Sequence, residues 1–383
     1  MTYYQRAADV AAGMFAHAEQ IRLHEKALAI IVARPPGRER DSRELAVLEA
    51  MAAPLTARYG YSSPHLEQAL ERSIVLAASL GRWDSRVAGL AALAGAQFVQ
   101  GRTADSHRTA TRALDLADPE SELAGQAHVV AGFSAFSLGM PADGLRHLAL
   151  GAKLAGGAVW LTIGTRPDVH GKAFSAHIHW LLGREDEALA ACHEAITLAR
   201  AIDHPYSQAL ALAYGGVTHQ MRRDLPELRN MVDELRWLCD RYDFAYYREW
   251  ALILDGWSRE GASGADLVRR GIGNLKSAGA FARMPYWLSL LADLSAQDGQ
   301  PGDARATLDA ALAAGRVHDD VWWLPEVMRM RAAYDDEQAA IARLLSAAQM
   351  ASEHGSVVLL RRCERDLGTR NVRLPVSGVP PTA

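Results

Sequence analysis

The chain has 383 residues, 49% of them hydrophobic and 22% charged, which is the balance of an ordinary folded chain and excludes a disordered or fibrous one. Lys and Arg total 41 against 45 Asp and Glu, a net charge of −4, so no overall basic footprint for nucleic acid or an anionic membrane is expected. Three scattered cysteines (Cys192, Cys239, Cys363) form no CxxC pair; they exclude a disulfide framework and fit a reducing, cytoplasmic setting.

Helical periodicity runs through almost the whole chain. Met1-Thr2-Tyr3-Tyr4-Gln5-Arg6 leads straight into an amphipathic helix, so no signal peptide is expected, and no apolar run is long enough to span a membrane. Helix pairs are predicted at roughly 2–16/18–33, 41–59/64–80, 84–100/103–117, 121–138/141–155 and 168–182/185–202. The series continues at roughly 206–222/225–241, 245–260/264–277, 284–298/301–314 and 322–333/335–353, then a last helix at 356–367. Pro35-Pro36-Gly37, Asp118-Pro119 and His204-Pro205 punctuate the series. One irregular stretch, Gly156 to Pro167, reads as an insertion or a functional flap. Beyond about Gly368 the periodicity stops, and a disordered tail over 368–383 is expected. The apolar first helix, with Tyr3, Tyr4, Val10, Met14 and Phe15, lacks a polar cap face and reads either as an end helix that is simply a little apolar or as an end that docks on another domain or subunit.

Five glycines carry the repeat. Gly101, Gly139, Gly183, Gly261 and Gly299 are each followed twelve positions later by a small residue: Ala113, Gly151, Ala195, Gly273 and Ala311. Successive units lie about 38 to 44 residues apart when one lacking the glycine, near Arg223, is counted. The first small residue allows the sharp turn after helix A; the second allows helix B to cross closely. The predicted fold is all-α: a right-handed superhelical solenoid of tetratricopeptide (TPR) type, with about nine hairpins over residues 1–367.

Three blocks carry a resemblance. They are Gly60-Tyr61-Ser62-Ser63-Pro64, then His204-Pro205-Tyr206-Ser207-Gln208-Ala209 running to His219-Gln220-Met221-Arg222-Arg223-Asp224, and Pro285-Tyr286-Trp287-Leu288 to Gly299-Gln300. In order and spacing the chain resembles the C-terminal TPR region of bacterial regulators with a signal-transducing (STAND-type) ATPase. There the ATPase precedes the repeats, often after a class III adenylate/guanylate cyclase or a winged-helix transcriptional-activator domain. The resemblance implies a non-catalytic module that senses a protein, peptide or small ligand and relays it to a separate ATPase or other regulator. Two alternatives stay open: the repeat part of an ATPase or cyclase polypeptide, or a passive assembly scaffold. No Gly-rich phosphate loop ending in Lys-Ser/Thr occurs, so neither an enzyme nor a cofactor is expected.

Of 14 histidines none forms an HExxH motif, and His170/His177 and His17/His24 share helix faces for packing rather than for a metal. Cys192 sits in an Ala-rich helix as a small core thiol. Glu185/Asp186 and Asp319/Asp320 stand at helix starts, where carboxylates suit the dipole. The aromatics point further. Trp250 and Trp257 share one face of a helix A with Tyr246, and Tyr286 and Trp287 lie one repeat on. These five are the candidate site, a concave groove for a peptide or protein, flanked by Arg222-Arg223 and Arg269-Arg270; the competing expectation is packing between repeats.

Overall fold

The computed structural model describes residues 2–155, 164–259 and 262–373. These hold nineteen α-helices and no strand. The pairs are α1 (Thr2–Gly13) and α2 (His17–Val32), α3 (Arg38–Tyr59) and α4 (Pro64–Leu80), α5 (Trp83–Val99) and α6 (Thr103–Leu116). Next come α7 (Glu122–Ser137) and α8 (Pro141–Leu154), α9 (Pro167–Leu181) and α10 (Glu185–Ala201), α11 (Pro205–Arg222) and α12 (Leu225–Tyr242). The series closes with α13 (Ala245–Ser258) and α14 (Ala262–Ser277), α15 (Met284–Gln297) and α16 (Pro301–Val317), α17 (Leu324–Ala332) and α18 (Glu337–Glu353), and α19 (Val357–Gly368). The predicted hairpins are present in the predicted order, as a TPR-like helical solenoid.

Inner and outer helices differ in what their sequences bury. In α7 thirteen of sixteen residues are buried, whereas α8 buries just Pro141, Gly144, Leu148 and Gly151, one helical stripe. An inner helix touches its partner, the hairpins on either side and the wall opposite, so no polar face is needed; an outer helix meets water along its back. Prolines in the first turn, as in α4, α8, α9, α11 and α16, set φ where no N–H is required. Ser121 and Asp336 cap α7 and α18 by accepting from Ala124 N and Ala339 N.

The glycine spacing has the expected local meaning. Gly101, Gly139, Gly183 and Gly299 all have φ between +71° and +83° at the turn after an inner helix. Where the glycine is missing, Arg223 itself takes a left-handed φ of +59°. Ala113, Gly151, Ala195 and Ala311 are buried at the crossings. Gly273 is not: it faces solvent. In that hairpin Gly271 makes the close approach, where an added Cβ would lie 2.6 Å from Ile253 Cγ1. Gly256 and Gly264 cross backbone to backbone nearby, which shifts the tight position by two residues. Gly261 lies outside the described residues, as does 156–163, the greater part of the expected flap. The last helix ends at Gly368; beyond it Arg370 N and Val372 N still bond to Leu367 O, and Val372 packs on the last hairpin, while 374–383, the greater part of the expected tail, lie outside the described residues.

The hairpins wind so that the turn loops of the early hairpins meet loops about five hairpins later. Phe281 N and Ala282 N both donate to Val99 O, at 2.7 and 3.1 Å, and Val321 N donates to Ser137 O at 2.8 Å. Val99 and Ser137 are the last residues of α5 and α7, so their carbonyls have no partner within the helix. The next superhelical turn supplies the missing donors. Ser62 Oγ donates to Ala278 O and Thr103 Oγ1 to His318 O along the same line. At its start Phe15, between α1 and α2 with φ +53°, packs against Tyr242 and His204. Gly101 serves this seam too: a Cβ there would lie 2.7 Å from Phe281 Cβ and 2.6 Å from His318 Nδ1. Gly299 has a similar φ with open space around it. Gly101→Ala therefore combines left-handed strain of about 1–2 kcal/mol with overpacking of about 1–3 kcal/mol; Gly299→Ala carries the strain alone. Urea unfolding of the two variants checks this, and equal midpoints would show that the seam contributes nothing.

Candidate functional site

The five candidate residues are brought together, but inside. Trp250, Tyr286 and Trp287 are fully buried, and Tyr246 and Trp257 nearly so. Trp250 meets Trp287 edge to face at 4.9 Å, Tyr246 packs on Tyr61 across the seam, and Tyr286 donates to Gln220 Oε1. Trp257 donates through Nε1 to Asp293 at 3.2 Å, with the Arg223 guanidinium 6.0 Å above its ring. The rings fill the superhelical axis, so the C-terminal half has no open groove at these positions. The competing expectation, packing between repeats, describes their placement. A tight five-hairpin turn is the reason: rings from facing walls reach each other and exclude a third body. Arg222 pairs with Glu185 and Asp224; Arg269 pairs with Asp266 on the outer α14, away from the axis.

A buried cation sits in the middle. Arg283, with φ +62°, is 1% exposed. Its guanidinium lies 4.7 Å from the Phe174 ring centre, 5.0 Å from Tyr214, 5.2 Å from Trp322 and 5.5 Å from Trp250. Desolvated cation–π contacts of this kind are each worth about 2 kcal/mol, which offsets part of the cost of burying a charge. Its Nη2 donates to His177 Nδ1 at 3.0 Å. That fixes the imidazole as the neutral Nε2–H tautomer, which donates to Tyr214 O. The backbone N of Arg283 donates to Asp320 Oδ2 at 2.7 Å. Asp320, expected at a helix start for the dipole, is instead buried and ties one loop to the next; burial raises its carboxyl to about 6 against the pull of Arg283. The Cys192, Cys239 and Cys363 thiols are buried, and burial pushes each up to about 12, against a nucleophilic role.

Several imidazoles are held neutral. Burial and the Arg283 charge lower His170 to about 3; burial and His17 lower His204 to about 4; burial and the facing His128 lower His147 to about 4. A depressed folded pKa means that the unfolded chain takes up more protons below about pH 6.5. Stability is therefore full above that pH and falls as pH drops toward 4. Asp320, shifted upward, gives a smaller opposite contribution between about 6 and 4. The urea midpoint should drop between about pH 7 and pH 5. His170→Phe keeps the stack on Phe133 and should reduce the slope by about 1.4 kcal/mol per pH unit. Denaturation series on both proteins read this.

Among the described residues two clefts are roomy enough for more than a single water molecule. One, of about 360 Å³, lies between α11, α15, α17 and α19. Its charges are matched internally: Glu326 accepts from Arg329 at 2.8 Å and Arg362 at 2.6 Å, and Arg329 also reaches Asp366. Burial opposes ionisation of Glu326, and the two guanidiniums outweigh it, holding its pKa below the usual range. The other cleft, of about 720 Å³, lies at the N-terminal end of the axis. Its floor is Ala50, Ala53, Pro54 and Ala57 of α3 with Ala88 of α5; its sides are Phe15, His17 and Gln20, and, one superhelical turn on, His204 and Tyr206. It stays open because alanines stand where later inner helices carry rings. The candidate set drawn from sequence missed it by following the aromatics; a run of alanines beside an in-helix Pro54 was the available signal. None of the five aromatic candidates lines either of these clefts. Trp250→Ala should cost about 3–5 kcal/mol as a core truncation, while Trp237→Ala, 59% exposed on α12, should change stability by no more than about 0.5 kcal/mol. Equal losses in thermal unfolding would contradict the placement of Trp250.

No family model matches the chain. A 201-residue stretch is 28% identical to an uncharacterized protein of Rhizobium meliloti (strain 1021), covering 49% of this chain and 20% of that protein. The chain thus spans about a fifth of that relative's length. Among solved structures it is similar to a Rap protein complexed with competence and sporulation factor, with TM-score 0.56 and 10% identity over 96% of this chain and 98% of that one. A human IFIT1 dimer with m7Gppp-AAAA aligns with TM-score 0.46 and 12% identity over 96% of this chain and 82% of that one. At these identities the likeness concerns fold, and with the seam and hairpin pattern above it places this chain among the TPR-like helical solenoids.

Proposed function

We propose that the chain is a non-catalytic regulatory interaction module. A peptide, protein segment or small ligand enters the 720 Å³ cleft, and the bound state passes to a partner, an ATPase or transcriptional output, through the closure of the superhelix. One observation carries this reading: the cleft walls come from both ends of a single superhelical turn. Phe15 and His17 belong to the first hairpin, His204 and Tyr206 to the fifth and sixth. Any occupant therefore touches two surfaces whose separation is set by curvature, which gives it differential affinity for more and less closed forms. The Rap likeness supports the reading at the level of fold, since that solenoid was solved with a bound factor.

The test uses a displayed library of random heptapeptides panned on the whole chain, with Ala50→Trp as counter-selection. Ala50 is exposed on the cleft floor, so the bulky ring blocks the space without disturbing the core. Enriched peptides should bind the wild type and lose binding to the variant. Hydrogen exchange should slow together around Phe15 and around His204. Peptides indifferent to the variant, or protection on one wall alone, would count against the proposal.

A further inference from the structure

The same cleft has a charge character that limits its occupant, and this inference rests on the reading above. Three carboxylates line it, one from each of three successive inner helices: Glu49 of α3, Asp84 of α5 and Glu122 of α7. Among the described residues no Lys or Arg lines it. Its two imidazoles add no positive charge at neutral pH: burial lowers His17 against the opposing pull of Asp243, and lowers His204 to about 4. Asp84 and Glu122 stand in first helical turns, where the dipole alone favours a carboxylate. Glu49 has no such reason. It lies in the middle of α3, is exposed, and like Asp84 makes no ion pair among the described residues. A further acceptor stands beside it. Pro54 carries no N–H to engage the Ala50 carbonyl four residues earlier, so that carbonyl lacks its ordinary helical donor at the cleft floor.

The Ala50 carbonyl and the unpaired carboxylates of Glu49 and Asp84, around an alanine floor, call for an occupant that brings donors, positive charge and apolar surface. Carboxylates repeated at the spacing of successive hairpins match an extended chain with several cations better than a single compact amine. The volume lies within the range of pockets that enclose small ligands. We propose that the N-terminal cleft binds a short, extended basic peptide, with apolar side chains on the Ala50–Ala53–Ala57 floor and cationic ones against Glu49 and Asp84.

Three labelled hexapeptides probe this by fluorescence anisotropy on the whole chain: one alternating arginine with leucine, one glutamine with leucine, one glutamate with leucine. The basic peptide should bind, the neutral one more weakly, and the acidic one not measurably. Ala50→Trp should abolish binding. The double variant Glu49→Gln/Asp84→Asn should weaken the basic peptide on the order of tenfold and flatten its salt dependence. All the substituted positions are exposed, and unchanged helical spectra and melting midpoints confirm that the variants are folded. If all three peptides bind equally and Ala50→Trp blocks them, the charge inference fails while the cleft remains a ligand site. If the basic peptide binds Ala50→Trp as well as wild type, its attachment lies elsewhere and the proposal is overturned. If no peptide binds, the basic-peptide proposal fails, while the reading beneath it is judged by its own library and hydrogen-exchange test.

Discussion

The five-hairpin turn is the constraint from which the remaining features follow. Once the early turn loops must meet loops about five hairpins later, the axis has a fixed width, and side-chain volume on the inner helices decides what happens within it. Trp250, Trp287, Tyr286 and Phe174 fill it. Ala50, Ala53 and Ala57 leave it open. The same winding explains the loop geometry. Arg283 reaches the interior from a loop because the seam turns that loop inward, and the amides just before it satisfy the end of α5.

Arg283 shows how such a core can hold a charge. Rings from four different helices or loops supply negative faces, His177 supplies a lone pair, and Asp320 accepts from the backbone. None of these groups is near Arg283 in sequence, so the cage forms once the superhelix has closed. Desolvated charges are costly when a partner is missing, which makes this cluster a check on correct winding as well as a contributor to it.

Much of the fold was legible in the sequence because it is local. A glycine at a left-handed turn and a small residue at a crossing act within one hairpin, and their spacing survives as a printed period. Even the missing glycine left a trace, since Arg223 occupies the same backbone region. Gly273 misled because the close pair Gly256 and Gly264 moved that crossing by two positions. The candidate site was far less legible. Helical periodicity tells which residues share a face; it does not tell whether the face opposite is water or another turn of the same chain. Tyr246, Trp250, Trp257, Tyr286 and Trp287 do share a neighbourhood, and a second wall of rings covers it. Conversely, the alanines of α3 carry little signal by themselves, since alanine is a good helix residue anywhere.

The offset of five has a consequence for how such a chain can change length. In an open solenoid a hairpin can be added or lost at any point, because each unit knows just its neighbours. Here the carbonyl ends of α5 and α7 are answered by amides nearly two hundred residues away, and Gly101 is small for the sake of Phe281 and His318. Deleting one internal hairpin would bring the wrong loop opposite every earlier turn. The contacts are also distant along the chain, so closure is a slow, late step relative to forming the hairpins. Evolution of this molecule is thereby channelled toward its two ends and its outer helices, where length and sequence can drift without breaking the count.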